Sequence, residues 1–214
     1  MSSYLLKLES VTKVFGRRLV FENLSLDFPP GKVYGISGPN GSGKSTLSKI
    51  IAGIIAPTSG RALHSAGGKI IPAEKLHNHI GFVSPYLTLY DEFTALENIE
   101  HFSRIRGIVS DNERRGNLLN DLGIYSRRND YVKAYSSGMK QRLKYVFALI
   151  HRPELILLDE PTSNLDSSGK DAVYKLIENE IKKSVVIIAS NEDADLARCG
   201  EVIYLEEFKL KQNK

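Results

Sequence analysis

A single cysteine, Cys199, stands among 214 residues, so no disulfide can form within the chain and its framework must come from burial and hydrogen bonding. One thiol fits a reducing compartment, although a lone buried thiol would look the same. Long hydrophobic runs are also missing. The longest, such as Ile50 to Ala56, fall far short of the roughly 20 apolar residues that span a bilayer. The opening MSSYLLKLESVTK has neither the basic flank nor the apolar stretch of a secretory signal. The chain itself is therefore expected not to cross a membrane, while a partner can still hold it against one. An excess of one charge is lacking as well: 29 Lys and Arg against 25 Asp and Glu leave +4, with basic residues scattered apart from pairs such as Arg114–Arg115. That balance gives no argument for nucleic acid. No internal repeat, low-complexity segment or long linker is visible.

What is present suits one globular unit. Hydrophobic residues make up 42% and charged residues 25%, enough apolar surface for a packed core, and the length allows one domain with a subsidiary lobe. Tyr4 to Glu9 and Val20 to Phe28 alternate apolar with polar residues, predicting half-buried strands and an antiparallel edge region before the turn at Pro29, Pro30 and Gly31. Lys32 to Ser37 reads as a buried strand, followed by a glycine loop and an apolar helix from Thr46 to Ala52. Further strands are predicted at Ile80 to Val83, Leu155 to Leu158, Val185 to Ala189 and Val202 to Leu205. The two middle ones are continuous apolar runs, as parallel strands buried on both faces require. Between Thr94 and Ile150 the pattern turns helical, with polar breaks near Gly107 to Asp111 and Asn129 to Lys133. The expected organisation over 1–214 is an α/β core from 1–83 and 146–214, with a helical lobe inserted at about 84–145.

Residues 38–46 read GPNGSGKST, matching G-x-x-x-x-G-K-[ST] in full, between a strand and a helix. The glycines Gly38, Gly41 and Gly43 let backbone N–H groups around Pro39, Asn40 and Ser42 converge on phosphate oxygens, and the helix after them turns its positive end to the same charge. Lys44 is expected to reach the β- and γ-phosphates, and Ser45, followed by Thr46, to place its hydroxyl on magnesium. A mostly parallel P-loop NTPase core binding ATP and Mg2+ is the expectation. LILLDE, Leu155 to Glu160, is a buried strand delivering two carboxylates at its C-terminal end, where parallel sheets bind ligands. Taken alone it is a strand reaching solvent. Beside a phosphate loop, Asp159 is expected to support magnesium and Glu160 to polarise the attacking water.

Together these motifs resemble the nucleotide-binding subunits of ABC transporters, over nearly the whole chain and in the family's order. YSSGMKQR, Tyr135 to Arg142, is similar to the family signature LSGGQ, with Ser137 where a glycine is usual. By itself it would be a loop entering a helix. The resemblance implies that two subunits, identical or different, pack head to tail. Ser136, Ser137 and Gly138 of one would then complete the ATP site of the other. It implies that SNLD, Ser163 to Asp166, contacts the opposing subunit, and that Phe15 in KVFG stacks on adenine, although a lone Phe near a strand end is more often core. Two positions depart from the pattern. Pro85 stands where the family carries a glutamine, and proline has neither a side-chain donor nor an N–H; Ser84 or Tyr86 is the available substitute. Asn191 stands where the family carries a γ-phosphate-contacting histidine, and its amide can donate but cannot carry charge, so hydrolysis is expected to be slowed. The five histidines, His77 and His79 included, are read as solvated, since two ligands rarely suffice for a metal.

The resemblance implies a Mg2+-dependent ATPase subunit, peripheral on the cytoplasmic face of a membrane, that drives a membrane-spanning permease. The compact length and LYDEFTALENI are most similar to export-type, haem- or drug-exporter-like subunits. The alternatives are a soluble ATP-gated clamp without a permease and a weakly hydrolysing, nucleotide-sensing subunit.

Overall fold

The computed structural model describes residues 4–109 and 111–209. Two sheets build the frame. Strands β1 (Leu5–Phe15) and β2 (Arg18–Phe28) form an antiparallel hairpin. On the far side of β1 lies β4 (Ser59–Ala66), paired in turn with β5 (Lys69–Ile70), so the order is β2-β1-β4-β5. The second sheet is wholly parallel, with β6 (Ile80–Val83), β7 (Leu155–Asp159), β8 (Val185–Ala189), β3 (Val33–Ser37) and β9 (Glu201–Tyr204) side by side in that order. Helices α1 (Lys44–Ile51), α2 (Ala95–Ile105), α3 (Asn112–Asp121), α4 (Ser137–Leu149), α5 (Ser167–Glu180) and α6 (Asp193–Leu196) connect them.

The apolar runs divide between two cores in strict alternation. Along β7, Leu155 and Leu157 join a core with Leu6, Phe21, Phe28 and Leu47, filled by the antiparallel sheet and α1. Ile156 and Leu158 join the opposite core with Ile99, Leu119, Leu143 and Val146 from α2, α3 and α4. Successive side chains point to opposite faces, so a strand covered on both sides must be apolar throughout. α2 starts at a reciprocal cap that is written in TALE: Thr94 Oγ1 accepts from the Glu97 N–H at 3.2 Å and Glu97 Oε2 accepts from the Thr94 N–H at 2.8 Å. The division expected at 145–146 falls inside α4, a single helix from Ser137 to Leu149.

Three sequence expectations need correction. β1 runs past Glu9 to Phe15, because its register slips between Leu8 and Val11 and again after it, breaking the alternation that marks a strand. β4 and β5 escaped notice because only His64 among their residues is buried, leaving no apolar face to read. Nor are all five histidines solvated. His64 is 2% exposed and bonded to the Tyr4 hydroxyl at 2.6 Å; burial pushes its pKa down to about 4, so it is neutral at pH 7. His151 donates from Nε2 to the Ile80 carbonyl at 3.1 Å, and burial likewise lowers it to about 4. His79 Nδ1 lies 3.0 Å from Glu154 Oε2. The thiol of Cys199 is partly buried, and burial pushes its pKa up to about 12, far from a reactive thiolate.

Candidate functional site

The loop between β3 and α1 carries GPNGSGKST and opens onto a cleft of about 470 Å³. Asn40, Gly41, Ser42, Gly43, Lys44, Ser45 and Thr46 line one wall, and Phe15, Pro85, Tyr86 and Glu160 face them. Gly43 sits at φ +112°, just before α1 begins, a backbone state that residues with a Cβ rarely adopt. The Pro39 carbonyl accepts from the Ser42 N–H at 3.0 Å, closing the turn.

Lys44 is buried inside this loop. Its ammonium donates to the Gly38 carbonyl at 2.7 Å and lies 3.6 Å from Glu160 Oε1. Ser45 Oγ donates to Asp159 Oδ1 at 3.1 Å, joining the start of α1 to the end of β7. Asp159 is fully buried, and its Oδ2 has no hydrogen-bond partner. Burial raises the Asp159 pKa, opposed by the Ser45 hydroxyl and the Lys44 charge. A buried carboxylate oxygen without a partner beside a serine hydroxyl fits a hard divalent cation such as Mg2+, which prefers oxygen ligands.

Glu160 follows at φ +50°, an uncommon backbone state for a glutamate, and its N–H donates to the Ala189 carbonyl at 2.8 Å. Burial raises its pKa, the Lys44 charge lowers it and the Asp159 charge adds to the rise. Asn191, just past β8, reaches the same loop, with Nδ2 3.4 Å from Asn40 Oδ1. Phe15 is 52% exposed at the cleft with Lys13 Nζ 4.7 Å from its ring centroid, so it is not a core residue.

Ser136, Ser137 and Gly138 do not line the cleft of their own chain. They lie at the start of α4, Ser136 and Ser137 exposed and Gly138 half-buried, and Ser136 Oγ accepts from the Met139 N–H at 3.2 Å. SNLD lies against them: a Cβ on Gly138 would come within 3.0 Å of the Asn164 carbonyl oxygen. Asp166 caps α5, accepting from the Gly169 N–H at 2.8 Å.

Several residues of the site carried no sequence signal. Arg18 lines the cleft and donates to the Gly41 carbonyl at 3.0 Å, but it sits in a strand without any motif. Asp195, in NEDAD, belongs to no motif. It is 1% exposed and accepts from the hydroxyls of Thr162, Tyr174 and Ser190 at 3.0, 2.8 and 2.7 Å. Three donors satisfy the buried carboxylate and tie the loop after Glu160 to the loop bearing Asn191. Tyr86, weighed as a stand-in for the missing glutamine, is a cleft wall, and Lys49 Nζ lies 4.5 Å from its ring centroid.

The profile of the ABC transporter family matches residues 21–163. The ABC transporter ATP-binding protein YdbJ of Bacillus subtilis, itself uncharacterised, is 34% identical over 99% of this chain and 69% of its own length. The lantibiotic transport ATP-binding protein SrtF of Streptococcus pyogenes is 34% identical over 95% of this chain and 85% of its own. Among solved structures, a bacterial ABC transporter cassette in dimeric form superposes with a TM-score of 0.79 at 27% identity, covering 93% of each chain. The chain belongs to the ABC transporter family, as an ATP-binding subunit.

Proposed function

We propose that this subunit binds Mg2+ and ATP in the cleft between the phosphate loop and Glu160, hydrolyses the ATP, and closes head to tail on a second ATP-binding subunit to drive a membrane-spanning permease. The observation that carries this reading is the convergence of Lys44, Ser45, Asp159 and Glu160, from two distant segments, at one end of the cleft. Backbone N–H groups of the loop and the Lys44 ammonium meet the phosphates. Ser45 and Asp159 would hold the cation, which would supply charge neutralisation on the phosphates. Glu160 orients and deprotonates the attacking water, a task suited to a carboxylate whose pKa burial has raised. Phe15, exposed at the mouth, offers a face for the adenine ring.

The exposed signature supports a partner subunit: Ser136, Ser137 and Gly138 at the start of α4 offer donors with no nucleotide of their own to serve. An exposed aromatic surface, with Tyr90 and Phe93 ring centroids 5.5 Å apart and His101 beside both, supports a further docking partner. No described helix is long and apolar enough to cross a membrane; in this reading the membrane-spanning permease is a partner, with this subunit on its cytoplasmic face. The name of SrtF, a lantibiotic transport ATP-binding protein, supports transport as the role.

The test is ATP turnover by the full chain with Mg2+ and with a chelator, alongside purification from gently solubilised membranes. Turnover that vanishes with the chelator and a stoichiometric polytopic partner are expected. Chelator-insensitive turnover would sink the Mg2+ reading, and soluble partners alone would favour an ATP-gated clamp. Asn191→His is expected to raise turnover several-fold, because a ring N–H that can carry charge replaces a neutral amide now 3.4 Å from Asn40; an unchanged rate would remove Asn191 as the cause of slow hydrolysis.

A further inference from the structure

One face of α4 grips both loops that wall the cleft. Gln141, Lys144 and Tyr145 are spaced i, i+3 and i+4, which places them side by side on a helix. Gln141 Nε2 and the Tyr145 hydroxyl donate to the Pro161 carbonyl at 3.3 and 2.9 Å, one residue beyond Glu160. Lys144 Nζ donates to the carbonyls of Ser84 and Pro85 at 3.3 and 3.0 Å, immediately before Tyr86. Ser84 is itself buried, and its hydroxyl accepts from the Tyr86 N–H at 3.3 Å. Proline supplies no side-chain group and no N–H at position 85, so the loop is held through its carbonyls by the lysine. The same helix is capped by Ser136, outside the cleft of its own chain.

We propose that Lys144 is a positioning residue for ATP turnover: it ties the Pro85–Tyr86 wall of the nucleotide cleft to the helix that starts with the signature, so that the two move as one piece. Displacement of the α4 start by a partner's nucleotide then reaches the chain's own cleft by two grips. Lys144 carries it to Tyr86 and, through the ring, to Lys49 of α1; Gln141 and Tyr145 carry it to the loop after Glu160. The inference rests on the nucleotide reading of the cleft.

The test compares Lys144→Met, which keeps the chain length and loses the donors, with Lys144→Arg, which restores donors. In the full chain Lys144→Met is expected to lower kcat at saturating ATP by about ten-fold, within the range a small misplacement produces, with KM for ATP changed by less than about two-fold. Lys144→Arg is expected to recover most of that loss. The sequence has no tryptophan, so Tyr86→Trp places a single tryptophan, excited selectively over tyrosine, on the cleft wall. Its emission anisotropy is expected to fall when Lys144→Met is added. A wild-type kcat in Lys144→Met, or equal loss in both lysine variants together with lowered melting temperatures, would overturn the proposal. So would an anisotropy indifferent to Lys144, a readout that holds even if turnover is too slow to compare. If the unaltered chain shows no ATP turnover and no nucleotide binding, the nucleotide reading itself falls; if it turns over and Lys144→Met matches it, only the positioning role does.

Discussion

Glu160→Gln is expected to lower ATP turnover by at least about 100-fold, the lower range for loss of a general base, while leaving nucleotide bound. The amide keeps the size and shape of the carboxylate, so the backbone at φ +50° and the N–H bond to Ala189 need not change. What disappears is the ability to take a proton from water. Lys44 retains its bond to the Gly38 carbonyl and can still meet phosphate. Phosphate release against retention of a fluorescent ATP analogue separates the two effects, and ATP-dependent dimerisation by gel filtration should become easier to trap. Burial raises the Glu160 pKa above its ordinary 4.5, so the acid limb of the wild-type rate profile should lie above that value and be absent from the residual activity of the variant. The sign for stability follows from the same shift. A carboxyl that binds its proton more tightly in the folded state loses stability as pH rises from the ordinary pKa through the raised one. At neutral pH the charge is a net burden, and Glu160→Gln should melt no lower than the wild type. An unchanged turnover rate would remove Glu160 from the chemistry.

Gly43→Ala is expected to abolish tight nucleotide binding and to destabilise the fold. A Cβ at this position would lie 2.4 Å from Val20 Cγ1 and 3.2 Å from Phe21 Cδ1. Both neighbours are buried in β2, Val20 at 7% and Phe21 at 0% exposure, so neither can move aside freely. Overpacking and a positive φ of 112° forced on alanine each cost about 1–3 kcal/mol. At about 2–4 °C per kcal/mol for a domain of this size, the melting temperature should fall by roughly 5–20 °C. Any relief moves the loop, and the N–H groups between Pro39 and Ser45 then no longer converge on one anion. Nucleotide titration should show at least about a ten-fold weaker complex, since losing one or two charge-assisted bonds is worth that much. A variant that melts and binds like the wild type would show that the loop has slack the packing does not suggest.

Much of this protein is legible in its sequence. The phosphate loop, the LILLDE strand and the two-faced apolar runs of β7 and β8 are local in sequence, because a strand buried on both sides and a turn that must bring N–H groups together leave few choices of residue. The loop entering α4 at Ser136 and Ser137 is equally local. Hidden from the sequence were β4 and β5, where only His64 is buried, and the neutral states of the buried His64 and the half-buried His151.

Only the tertiary structure decided how the site is held. Asp195 draws hydroxyls from three segments, Arg18 reaches the Gly41 carbonyl, and Lys144 reaches across 60 residues of chain to Ser84. Their partners are backbone carbonyls and hydroxyls that almost any sequence can present. Local sequence thus set which groups could meet a phosphate; the folding of distant segments onto α4 and the parallel sheet set where those groups stand, because long-range hydrogen bonds form only after the hydrophobic cores have brought their partners together.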